Sequence, residues 1–194
     1  MKTDVILVSN KGDGLEAALA QAEKVAKYKG LTHKSALHLR LLTEEMAGML
    51  GSIAGDIKGK FWIEDEDGVY QLHLQVETSM DAAQRKQLIS ASSSGVNEAS
   101  RGIMGKLRAF FEPEDDLPVF YDMSLMQMDG MYGEGAWSMR LYREELTRYM
   151  EQKRAGAQEA WDELEKSVVA HVADDVKVSI RGRTVEMTIV KKLA

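Results

Sequence analysis

Cysteine is absent from all 194 residues, which removes disulfides, zinc–thiolate sites and thiol nucleophiles from the possible chemistry. Only two prolines occur and aromatic residues make up 7% of the chain, so a proline-rich or collagen-like polymer is excluded. No apolar run approaches the roughly 18 residues of a membrane span. The stretch Val5–Val8 is also shorter than the ~7–15-residue core of a signal peptide. Positive charge is in deficit, with 25 Lys+Arg against 31 Asp+Glu and a net charge of −6. A nucleic-acid binder would instead carry a basic stripe. These absences predict a cytoplasmic protein that engages neither membrane nor nucleic acid.

What is present is ordinary for a globular chain, at 44% hydrophobic and 29% charged residues, and the length suits one medium domain with a sizeable core. Asp4–Ser9 reads as a strand closed by the turn residues Asn10–Gly14. Leu15, Ala18, Leu19, Ala22, Val25 and Ala26 then share one helical face, and Lys29-Gly30 ends that helix. Thr32 is the expected N-cap of a second helix with the stripe Leu39, Leu42, Met46, Met49, Leu50 and Ile53. Off that stripe, Glu44, Gly48 and Gly51 recur at spacings of four and three on another face. Each mid-helix glycine costs about 1 kcal/mol relative to alanine, so something is expected to come close to that face, by tight packing or by a ligand.

Strands at Lys60–Glu64 and Val69–Val76 flank Glu66-Asp67-Gly68, a hairpin signal. Alternation in the second strand puts Tyr70, Leu72, Leu74 and Val76 inward, and places His73 with Gln71 and Gln75 on a solvated face. Residues 81–90 and a stretch ending at Phe111 read as helices around the small-residue loop Ser90–Gly95. The segment Glu112–Gly135 holds both prolines, an acidic cluster and Met123, Met126, Met128 and Met131. It is expected to be a linker or loop, its methionines either packing over the domain or forming an adaptable surface. Trp137–Arg154 is expected to be helical with a Glu144–Arg148 pair. Trp161, Leu164, Val168 and Val172 mark another helix, and a hairpin turning at Arg181-Gly182 closes the chain. Strands grouped in hairpins with helices between them predict an α+β two-layer sandwich with a mostly antiparallel sheet covered by helices.

Three local segments in this order resemble the gyrase/heat-shock chaperone/histidine kinase/MutL ATPase superfamily, and within it the bacterial anti-sigma-factor serine kinases. Leu39–Gly48 is similar to that family's L-x-x-E-x-x-x-N helix, with Glu44 at the glutamate that orients or deprotonates a nucleophile and Gly48 at the magnesium-holding asparagine. The strand ending Val76-Glu77-Thr78 corresponds to the V-x-D-x-G-x-G box. Strand parity puts Thr78 at the adenine-reading aspartate, and a bulge would put Glu77 there. Ser100–Leu107 looks like the second glycine box opening a helix. The resemblance implies a Bergerat-like ATP-binding fold made of residues 1–111 and 175–194, with 112–174 as a loop plus helical insertion.

It also implies ATP or ADP as ligand, held by Gly48, Glu77 or Thr78, Ser94, Gly95, Arg101, Gly102 and Gly105, the loop amides and helix N-terminus meeting the phosphates. An ordinary capped loop is the competing reading of that last segment. Glu44 is the candidate catalytic base. Gly48 supplies no side-chain oxygen for magnesium, which demands near-octahedral oxygen ligands, and phosphoryl transfer leans on that ion. A regulatory nucleotide-binding protein with weak or no catalysis is therefore expected. A pseudo-ATPase interaction module is the alternative, gripping a protein partner or a second copy through the Met-rich loop and insertion. If the chain is active, a serine kinase or ATPase is the implied chemistry. His33 and His38 read as surface residues.

Overall fold

The computed structural model describes residues 1–50, 56–77, 136–154, 156–181 and 183–194. These residues form strands β1 (Ile6–Ser9), β2 (Lys58–Glu66), β3 (Val69–Glu77), β4 (Ala136–Ser138), β5 (Asp175–Arg181) and β6 (Thr184–Lys192). The helices are α1 (Leu15–Tyr28), α2 (His33–Leu50), α3 (Met139–Glu151), α4 (Ala157–Glu165) and α5 (Val168–Val172). The sheet runs β1-β2-β3-β6-β5-β4, and every pairing in it is antiparallel. This is the α+β class that the grouping of strands in hairpins predicts.

Period-two alternation sorts the sheet into two faces. Phe61, Ile63, Tyr70, Leu72, Leu74, Val76, Val176, Val178, Val185, Met187 and Ile189 merge with the apolar stripes of the helices into one core cluster. Burying each such side chain contributes about 1.5–3 kcal/mol. The α1 stripe from Ala18 to Ala26 is buried as its spacing demands, and so is the α2 stripe from Leu39 to Leu50; Ile53 lies outside the described residues. The Thr32 hydroxyl accepts from the Ser35 amide at 3.2 Å, capping α2. Asp67 and Gly68 both have positive φ (51° and 82°), the mirror-image turn that suits a two-residue hairpin.

Four local expectations need correction. Trp137 belongs to a strand, pairing with Val178, and α3 starts only at Met139. Three residues are too few to show a period, and the buried ring sits opposite β5. Glu144 pairs with Arg140 at 2.9 Å, and Arg148 turns back at 2.9 Å to Glu145, the less exposed carboxylate. The single stripe Trp161–Val172 is broken: Ser167 has extended backbone and caps a new helix, so Val169 and Ala170 are buried while Val168 is exposed. Arg181, expected in the last turn, still belongs to β5, where it pairs with Thr184; Gly182 lies outside the described residues. The expected helices within 81–111 and the segment 112–135 lie outside the described residues. Residues 136–174, from the expected insertion, supply β4 and α3–α5 to the same sheet and core.

The start of α3 is held from a distance. Ser138 makes no side-chain cap. Instead the Asp175 carboxylate accepts from the Arg140 amide at 3.1 Å and the Ser138 hydroxyl at 3.1 Å. A carboxylate there meets unpaired amides and the positive end of the helix dipole, so β5 and α3 are locked together where the chain changes from strand to helix.

Candidate functional site

The helix α2 carries two distinct faces. Leu39, Leu42, Met46, Met49 and Leu50 are buried, whereas Leu37, Arg40, Glu44 and Gly48, spaced by three and four, are exposed. Glu44 and Gly48 therefore lie one turn apart on one open strip. Around Gly48 no heavy atom stands within 4 Å of where a Cβ would be, so among the described residues nothing packs against the glycine face. Gly51 lies outside them. The glycine is not required by φ either, and its cost to the helix is uncompensated by any described contact.

The direction of α2 follows from its contacts. At its start, the Ser35 hydroxyl donates to the Ala194 carbonyl at 2.8 Å, next to the β2–β3 turn, where the Leu193 amide meets the Gly68 carbonyl at 3.0 Å. Its C-terminal end leads through 51–57 to Lys58, which pairs with Ser9. Glu77 ends β3 at that same end of the sheet, where Gly59 opposes Val76. The β1–α1 turn closes this end as well: the Asn10 amide and side chain bracket Ile57 at 3.1 Å each, and Ser9 donates to the Asp13 carboxylate at 2.8 Å.

Glu77 reaches that end but not that layer. β3 keeps an unbroken register with β6 through Glu77↔Thr184, with no bulge, so Glu77 shares parity with His73 and Gln75 on the sheet face opposite the helices. Thr78, Ser94, Gly95, Arg101, Gly102 and Gly105 lie outside the described residues. The structure thus brings Glu44 and Gly48 together and sets Glu77 on the other side of the sheet.

That other side corrects the expectation for His73, which is only 8% exposed. The strand order places β3 between β2 and β6, so His73 stands in a cross-strand row with Trp62 and Thr188. The Trp62 ring stacks on it in parallel at 4.7 Å. Its Nδ1 lies 3.0 Å from a Glu186 oxygen and 3.2 Å from the Thr188 hydroxyl. The Trp62 ring on one side, and Thr188 with Glu186 on the other, shield a residue that alternation alone marks as wet. The Lys2 ammonium sits 5.0 Å over the Trp62 ring and 2.8 Å from Glu64. The Lys2 bond, then the Trp62 indole donor, hold the Glu64 carboxyl below its ordinary range.

Beside this row, a hollow of about 200 Å³ is lined by Trp137, Ser138, Leu141, Lys177, Val178, Ser179, Glu186 and Thr188. It shares no residue with the α2 strip and is smaller than the roughly 300–1,000 Å³ of drug-sized ligand pockets.

Asp65 is a second feature that sequence reasoning missed. It sits at an inward parity position after Phe61 and Ile63, buried, with Lys29 Nζ at 2.5 Å and the Gly68 amide at 3.2 Å. The Lys29 bond draws the Asp65 carboxyl below its ordinary value, and Asp65 in turn raises Lys29. Burial pushes the neighbouring Tyr70 hydroxyl up. A charged residue breaking an apolar alternation was the available signal. The pair ties the end of α1 to the hairpin and faces away from the Gly48 end, so it belongs to structure.

Among the described residues no group of three His, Asp or Glu side chains is placed to hold a metal ion, and no helix is long and apolar enough to cross a membrane. Comparison of the chain with protein-family models, with curated proteins and with solved structures yields no match in any of the three.

Proposed function

We propose that this chain is a cytoplasmic regulatory protein of the histidine-kinase-like ATPase type, with a Bergerat-like fold that binds ATP or ADP with weak or no turnover. The observation that carries the reading is the open Glu44–Gly48 strip on α2. It points toward the sheet end from which the chain leaves β3 at Glu77 and to which it returns at Ala136, opposite Ser179 near the end of β5. A purine nucleotide laid along that strip meets a carboxylate and close backbone, and the Gly48 position gives magnesium no side-chain oxygen. Turnover is weak for that reason: charge developing on a transferred phosphoryl group goes without its usual cation. If any hydrolysis or serine phosphorylation occurs, Glu44 is its base, and Glu44→Ala abolishes it.

A thermal-shift series with ATP and ADP, each with and without magnesium, tests this reading. Ligand at about 100 times Kd stabilises by roughly 2.7 kcal/mol, which for a chain of this size is a rise of about 5–11 °C in Tm. The expected result is a rise indifferent to magnesium; an unchanged Tm with both nucleotides rejects the reading.

A second reading is favoured by Leu37, 45% exposed on the same strip. There the domain is a pseudo-ATPase interaction module that holds a protein partner or a second copy, with the Met-rich loop and insertion contributing. Deletion of residues 112–135 then abolishes partner capture in a pull-down while nucleotide has no effect on Tm.

A further inference from the structure

The hollow between β4, β5 and β6 lies on the sheet face opposite the α2 strip, and its lining has a definite chemical character. Leu141 supplies apolar wall, while Ser138, Lys177, Ser179, Glu186 and Thr188 project from the outer parity of β4, β5 and β6; Trp137 and Val178, inward by register, form its floor between them. Lys177 pairs with no carboxylate among the described residues. Glu186 stands one row along, opposite Ser179, since Lys177 opposes Thr188. One oxygen of Glu186 is engaged by His73; the carboxylate keeps acceptor capacity beyond that bond. His73 is itself held by the Trp62 stack and the Thr188 hydroxyl, so Glu186 is anchored from behind. A cation and an anchored anion thus border one small cavity without pairing with each other.

We propose that this hollow is a binding site for a small zwitterion, an α-amino acid. The ligand carboxylate meets the Lys177 ammonium and the Ser179 hydroxyl, its ammonium meets Glu186, and its side chain lies against Leu141. A molecule of one charge sign leaves either Lys177 or Glu186 facing its own kind, which costs binding. A cavity of about 200 Å³ lies below the roughly 300–1,000 Å³ of drug-sized pockets and suits a ligand as small as an α-amino acid.

The test is a thermal-shift panel of the common L-amino acids on the full chain, repeated on Lys177→Met. Lys177 is exposed and makes no described pair, so its loss spares the fold. The expected result is that at least one amino acid raises the wild-type Tm, by roughly 3–6 °C at about ten times Kd. Its N-acetyl derivative and its amide both fail to do so, and Lys177→Met loses the response while keeping any shift caused by ATP or ADP. No response from any amino acid overturns the proposal. An equal response in Lys177→Met overturns it as well, because general osmolyte stabilisation does not need that ammonium.

Discussion

Gly48 and Gly14 show opposite reasons for a glycine. Gly48 has helical backbone and open space around its missing Cβ. Gly48→Ala is therefore expected to stabilise the fold by about 0.5–1 kcal/mol, read as a higher urea midpoint. Gly14 has φ of +79°, and a Cβ there would stand 2.0 Å from the Leu7 carbonyl oxygen. Gly14→Ala should lower the midpoint sharply, by more than the about 1 kcal/mol that a compatible glycine replacement changes. Asp65 gives a pH prediction with a definite sign. Its folded pKa lies below the unfolded value, so its contribution is full above about pH 4 and lost as pH falls through the folded pKa. Lys29 is raised, so its contribution is full below the unfolded value near 10.5 and lost as pH rises past it. Asp65→Asn should flatten the acid limb of the stability–pH curve measured by urea unfolding; an unchanged acid limb would contradict the pairing.

At the scale of elements, α2 and α3 test how faces and caps are assigned. Leu42 is fully buried while Leu37 is 45% exposed on the same helix. Leu42→Ala should cost about 2–5 kcal/mol, and Leu37→Ala should stay within roughly 0.5 kcal/mol; equal losses in urea unfolding would mean the strip is packed rather than open. Asp175→Ala should cost about 0.5–2 kcal/mol through loss of the α3 cap, with α3 amides gaining hydrogen-exchange rate ahead of those in α1. The long periodic elements were legible because a period of 3.6 or 2 repeats several times in α1, α2, β3 and β6. The breaks were not. Trp137 sits in a strand of three residues, and Ser167 restarts a helix whose apolar residues continue across the break in the linear spacing. Asp175 caps a helix 35 residues earlier in the chain, a contact that exists only once β4 lies beside β5.

For the whole molecule, strand order decides what the residues become. Hairpin grouping in the sequence points to an antiparallel sheet, but it does not say that β3 lies beside β6. That adjacency buries His73 between Trp62 and Thr188, and it gives Glu77 its place on the outer face through the register with Thr184. The sheet order also separates two candidate surfaces, the α2 strip on the helical side and the zwitterion hollow on the other. Of the candidate nucleotide residues, Glu44 and Gly48 share an open strip as their spacing predicts, because a four-residue separation on a helix needs no tertiary information. Glu77 depended on whether β3 bulges, which no single-strand pattern reveals. The strip most directly decides the function, and isothermal titration of ATP and ADP into the wild type and Gly48→Asn addresses it. Nucleotide binding at the strip predicts heat with wild type that is the same with and without magnesium, and magnesium-enhanced ATP binding once asparagine supplies an oxygen at position 48. Absence of heat in both proteins, at nucleotide up to about 1 mM, a concentration that detects any binding free energy more favourable than about −4.1 kcal/mol, would contradict it.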